Sequence, residues 1–200
     1  VNLNGGVLAA KDHYTINADL ALGGAVATLQ AANASGVPYN ITVNGVVSGS
    51  GMLVKTGGGV LTLNGANTYS GNTVITAGTL SLGPAGSIAA SPNLLVSSGA
   101  VLDVSAVSGY TLAAGRTLAG SGTVAGDVSL TASATVNPGS NVVAGTLTFA
   151  HSLTETGGTV NHLDLSTNPS GPNNDLIVVT GDLNVSGANT LEVSGGGPAG

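Results

Sequence analysis

The run GGGVLTLNGANTYSGNTVITAGTLSLG, from Gly57 to Gly83, decides the fold. Val60-Leu61-Thr62-Leu63 and Thr79-Leu80-Ser81-Leu82 alternate apolar and small polar residues with period two, as in a strand with one buried face. Each strand follows a glycine. Between them lie a polar turn, Asn64 to Asn72, and a third short strand, Thr73 to Thr76. Asn64-Gly65 and Ser70-Gly71 supply the residues that sharp corners need. The two glycine-strand units stand about 19 residues apart, close to one rung of a repetitive β structure.

The unit recurs further along. Gly99 opens Val101 to Val104 about 21 residues after Gly78, and Gly145 opens Thr146 to Phe149. Many short strands at regular spacing, without a helical period, mean an all-β chain. A sandwich and a solenoid both satisfy that pattern. The near-constant spacing and the recurring polar turns favour a solenoid. Stacked coils place like residues over like, with Asn in ladders at corners and Thr, Val and Leu on the flats. The expectation is a parallel β-helix of about nine or ten coils, at ~4.8 Å per coil a rod on the order of 45 Å long. Exposed strand edges at its two ends predict end-to-end self-association unless they are capped.

The central segment resembles the autotransporter-associated β-strand repeat, also called the passenger-associated transport repeat. The frame K-x-G-x-G-x-L-T-L is read from Lys55 to Leu63. It continues through G-A-N-T-Y-S-G (Gly65 to Gly71), T-x-I (Thr73 to Ile75) and A-G-T-L-x-L-G (Ala77 to Gly83). The match covers roughly a seventh of the chain, and the flanks share only its texture. The resemblance implies a right-handed parallel β-helix in a large bacterial surface or secreted protein. It implies a role in export and architecture at the outer membrane or cell surface, and it brings no catalytic residues.

Composition narrows the function. Charged residues are 6% of the chain against 42% hydrophobic, so Ser, Thr, Asn and Gly must cover the surface. Lys11, Lys55 and Arg116 are the only formal cations in a chain of net charge −6, too few and too scattered to neutralise phosphates. The same scarcity argues against anionic lipid headgroups. At 2% aromatic the chain lacks a stacking platform for nucleic acid. No cysteine is present, which suits a chain that crosses a periplasm unfolded. No apolar run reaches the ~18 residues of a membrane helix. The chain opens at Val1 in mid-pattern and closes on Gly195 to Gly200. The expectation is one solenoid segment of a longer protein, whose signal peptide, membrane barrel or anchor lies outside it. Residues 1–56 would form entry coils, 57–83 the repeat and 84–200 further coils.

In chain order, Ile16 to Leu22 reads as one alternating run. Gln30 to Ser35 is rich in alanine but too short for a helix, and is expected as a lateral loop. Val160 to Leu165 reads as a strand, Ser166 to Asn174 as a loop. Asp175 to Thr180, the most strongly β-forming run, is expected to lie centrally.

The chain yields no assigned catalytic, cofactor-binding or metal-binding residue. His13, His151 and His162 lack the three or four converging ligands of a zinc site and read as edge residues. Stacked coils could bring Asp164, Asp175 and Asp182 together, as a glycosidase pair or a calcium site, but solvated turns are the simpler reading. The G-G-x-G-x-D calcium repeat is absent. Arg116 has no acidic neighbour in sequence, which counts against the β-helical polysaccharide lyases. Gly57-Gly58-Gly59 lacks the Gly-Lys-Ser/Thr of a phosphate loop. Tyr69 reads as packing over its own corner, with sugar stacking as the alternative. The reading is a structural, export-associated stalk without a cofactor or small-molecule substrate. Its alternatives are an adhesin for glycans or matrix and, further off, a polysaccharide lyase or hydrolase.

Overall fold

A computed structural model describes residues 1–24, 26–140, 143–166 and 173–196. The short alternating runs form strands, the glycine- and asparagine-rich links form corners, and successive turns of the chain stack as a parallel β-helix. Among the described residues the long face carries nine strands. They are Gly6–Ala9, Val26–Gln30, Met52–Thr56, Thr73–Ile75, Asn93–Val96, Thr117–Gly120, Thr135–Pro138, Val160–Ser166 and Thr190–Gly196. Numbering coils by these strands, the repeat occupies the third and fourth. The second face carries eight strands, from Tyr14–Ile16 to Leu176–Val179. The third face is split. Asn2–Leu3, Leu20–Leu22 and Val47–Gly49 form one piece; Thr111–Leu112, Val128–Leu130, Leu153–Glu155 and Leu183–Val185 form the other.

Register is the main result of this stacking. On the second face Ile41, Leu61, Leu80, Leu102, Val124 and Phe149 pair one above the next, and all six are buried. Burying each such side chain contributes about 1.5–3 kcal/mol, so the ladder is a principal source of cohesion. Thr79 pairs with Val60, the 19-residue step read from the sequence. Later coils are longer, as in the pairing of Thr146 with Leu176. The expected asparagine ladder is present at the corner after the second face. Asn64 Nδ2 donates to Asn44 Oδ1 and Asn44 Nδ2 to Asn17 Oδ1, each at 2.7 Å.

Two expectations need correction. Ile16 to Leu22 is two strands around a corner, because Asn17 to Asp19 turns the chain while Ile16, Leu20 and Leu22 all still point inward. Asp175 to Thr180 is not central. Its strand, Leu176–Val179, ends the second face and pairs only with Thr146–Phe149, leaving Leu176 exposed. Strong β propensity reports fit to a pleated surface, not position within a sheet. The third face, in addition, has no strand in the fourth and fifth coils, between Val47–Gly49 and Thr111–Leu112; the fourth coil is tied there by single bonds. There Thr68 N and Tyr69 N both donate to Val47 O, and Ser70 N donates to Gly49 O. The stretch after Gln30 is a loop and not a helix. Asn33 Oδ1 accepts from Ser35 N and Val37 N, an Asx turn that closes the excursion on itself.

Candidate functional site

The corner between the long and second faces, in the third and fourth coils, concentrates the unusual chemistry. Met52–Thr56 alternates in and out, and Leu53 points into the core. Lys55, two residues on, must therefore point inward too. It does, and it is fully buried. Its register neighbours are Leu29 below and Ile75 above, so a cation stands in an aliphatic ladder. Its Nζ donates to the carbonyls of Thr56 at 3.1 Å, Gly57 at 2.7 Å and Ala77 at 2.9 Å. An ammonium group has three donors, and three main-chain oxygens take them. Two acceptors belong to the lysine's own coil and the third to the next. Burial lowers the Lys55 pKa to about 8, so the group remains mostly charged at neutral pH.

Glycine makes this corner close enough for the clamp. Gly78 sits at φ 65°, and a Cβ there would stand 2.5 Å from the carbonyl oxygens of both Gly57 and Gly59. At Gly59 a Cβ would overlap the carbonyl of Tyr39 in the coil below. The frame K-x-G-x-G thus has a local physical meaning: the glycines bring successive main chains together, and the lysine ties their carbonyls.

Tyr69 completes the repeat from the third face. It is buried, and its hydroxyl lies 2.6 Å from Thr73 Oγ1. Thr73 donates to Ser91 Oγ at 3.0 Å, and Ser91 to Asn93 O at 3.3 Å. The relay crosses from the fourth coil to the fifth. Burial pushes the Tyr69 phenol well above its usual range. This corrects the sugar-stacking alternative: the ring has no exposed face to offer.

The three aspartates do not converge as a set. Asp175 is buried, contrary to the solvated-turn reading. Its Oδ1 accepts from Gly145 N at 2.7 Å and its Oδ2 from Asp164 N at 2.9 Å, so its carboxylate closes a main-chain gap. Asp164 accepts from Ser194 Oγ and lies 3.5 Å from His162 Nε2. Asp182 is exposed at another corner, where its carbonyl accepts from Leu153 N. Among the described residues no three His, Asp or Glu side chains gather within metal-holding reach. His13 Nδ1 accepts from Asn40 N at 3.1 Å, and His151 is exposed. Arg116 Nη1 donates to Ala90 O at 3.0 Å, holding a corner.

Sequence reading passed over two buried charges, Lys55 and Glu155. Both follow an inward leucine by two residues, in L-x-K from Leu53 and L-x-E from Leu153. That parity is the signal that would have found them. Glu155 accepts from Thr159 Oγ1 at 2.9 Å and from Asn161 Nδ2 at 3.1 and 3.2 Å.

No curated protein and no solved structure matches the chain significantly. A family model does match, over the residues that build the clamp. It spans residues 53–82, from the inward Leu53 to the end of the strand Thr79–Leu82. The lysine, its three acceptors, the crowded glycines and Tyr69 all fall inside those bounds. That model describes the passenger-associated-transport-repeat, and residues 53–82 of this β-helix match it.

Proposed function

We propose that the chain is a stretch of stalk in an exported bacterial passenger, and that its repeat is the point at which one coil captures the next. A β-helix grows by stacking, and each new coil must find register on the last. Aliphatic ladders reward stacking but tolerate slippage, because one leucine resembles another. A buried ammonium does not tolerate it. A coil that fails to deliver its corner carbonyl leaves a donor of Lys55 unmatched in an apolar interior. The observation that carries this reading is the bond from Lys55 Nζ to Ala77 O, made across coils within the matched repeat. Its work is mechanical: to fold as the chain emerges, stay folded outside the cell, and hold other regions away from the surface.

The test is display of the parent protein carrying Lys55→Met, scored by protease access on intact cells. A second variant replaces residues 53–82 with the matching stretch of a neighbouring coil. The proposal expects lower display at unchanged synthesis in both. Normal display in both would move the function away from export and toward recognition at the surface.

A further inference from the structure

The outward side of the long face is an apolar stripe. Thr28 pairs with Val54, Val54 with Val74, Val74 with Leu95 and Leu95 with Ala119, so these side chains rise in one column. Val26 and Met52 pair beside them and widen the stripe. All are half-buried or exposed on the outside of the solenoid. From Gly6 to Asn137 no outward position of this face bears a charge; Lys55, on the same strands, points inward. The flanking rows are neutral as well, with Thr56 and Thr76 on one side and Asn72 and Asn93 on the other. The largest apolar patch on a monomer is often functional.

We propose that this face packs against the same face of a second copy of the chain. Seven strands at ~4.8 Å, each offering about 15 Å of width, give roughly 500 Å² per copy and about 1,000 Å² for a pair, the lower bound for a specific interface. Flat sheets stack face to face at about 10 Å, which suits side chains of this size.

Charge selects the arrangement. The long face carries outward charge only in its last two described coils, where His162, Asp164 and Glu192 point outward and His162 Nδ1 lies 3.3 Å from Glu192 Oε2. A two-fold axis along the solenoid would set each coil against its own copy and oppose these carboxylates. A two-fold axis along the strands, through the fourth coil, sets the first coil against the seventh. Val74 then meets Val74 of the second copy, Val54 meets Leu95, and the charged eighth and ninth coils fall outside these seven pairings.

Sedimentation velocity on the 200-residue chain, from low to high micromolar, tests this. The expected result is a reversible dimer, weakened at least tenfold by Val74→Lys with circular dichroism unchanged. The chain has no cysteine, so Val74→Cys gives a second readout. It should form a disulfide-linked dimer on mild oxidation, whereas Ser129→Cys, outward on the third face, should not. A monomer at all concentrations overturns the proposal. So does association that survives Val74→Lys, which would point to the coil ends, or equal cross-linking of the two cysteine variants.

Discussion

Among the described residues Lys55, Glu155 and Asp175 are buried charges, and the first two are satisfied in opposite ways. Lys55, in the third coil, gives its protons to main-chain carbonyls, one of them in the coil above. Glu155, in the eighth, takes its hydrogen bonds from Thr159 and Asn161, side chains of its own coil. The first arrangement needs a lysine, a few glycines and a main chain, so it can be copied wherever the backbone turns alike. The second needs two particular partners and holds one coil to itself. The lysine corner lies within the residues that match the family model, and the glutamate lies outside them. It also separates two kinds of work: Lys55 sets the stacking of coils, and Glu155 sets the shape of one.

The sharpest way to break this contrast is to shorten the lysine. Lys55→Ala should cost about 4 kcal/mol, from a cavity in the aliphatic ladder and carbonyls left without their donor. Chemical denaturation would read that loss. A value near zero would mean that the desolvation of the charge cancels everything it binds. Gly78→Ala attacks the same corner from the main chain, through its positive φ and the crowding carbonyls of Gly57 and Gly59. About 3 kcal/mol of destabilisation is expected, again by denaturation.

The pH dependence of stability separates the charge from the packing. Lys55 titrates at about 8 when folded, below the ~10.4 of an unfolded lysine, so between those values the unfolded chain binds more protons. Stability should therefore rise with pH, by about 2 kcal/mol between pH 8 and 10. Above that range the buried phenols of Tyr69 and Tyr110, held protonated, act in the opposite direction. The rise should vanish in Lys55→Met, which keeps the bulk and removes the titration. Melting curves of the two proteins across pH 7 to 10 would show it.

Smaller effects sharpen the other side of the comparison. Glu155→Gln keeps the bond from Thr159 and should cost only about 1 kcal/mol, with faster hydrogen exchange confined to the last coils. Ser133 is the only non-glycine residue in the left-handed region among those described, at φ 65°. Ser133→Gly should raise stability by up to about 1 kcal/mol, seen as a small increase in melting temperature.

The solenoid was legible because stacking repeats a local rule. Alternation around Leu61 and Leu80, and the 19-residue step between them, specify both a strand and the coil it rests on. The asparagine corner was legible for the same reason. Position along the stack was not, since β propensity is blind to it, and Leu176–Val179 proved to end its sheet. The chemistry of the site was half-legible. The K-x-G-x-G frame was visible, but Lys55 counted as one of three scattered cations because formal charge suggests a surface residue. Its parity with Leu53 says otherwise. Tyr69 was expected over its corner and is buried in the core, and its relay to Ser91 depends on a residue 22 positions away that only stacking brings near.

The central claim is that Lys55 couples the third coil to the fourth. Native-state hydrogen exchange in Lys55→Met tests it most directly, at Thr76 N, which donates to Lys55 O, and at Thr79 N, which donates to Gly59 O. The account predicts that these amides lose protection in the variant, while Thr190 N, bonded to Thr159 O in the last coils, keeps its own. Equal loss at both places, or none at the repeat, would contradict it.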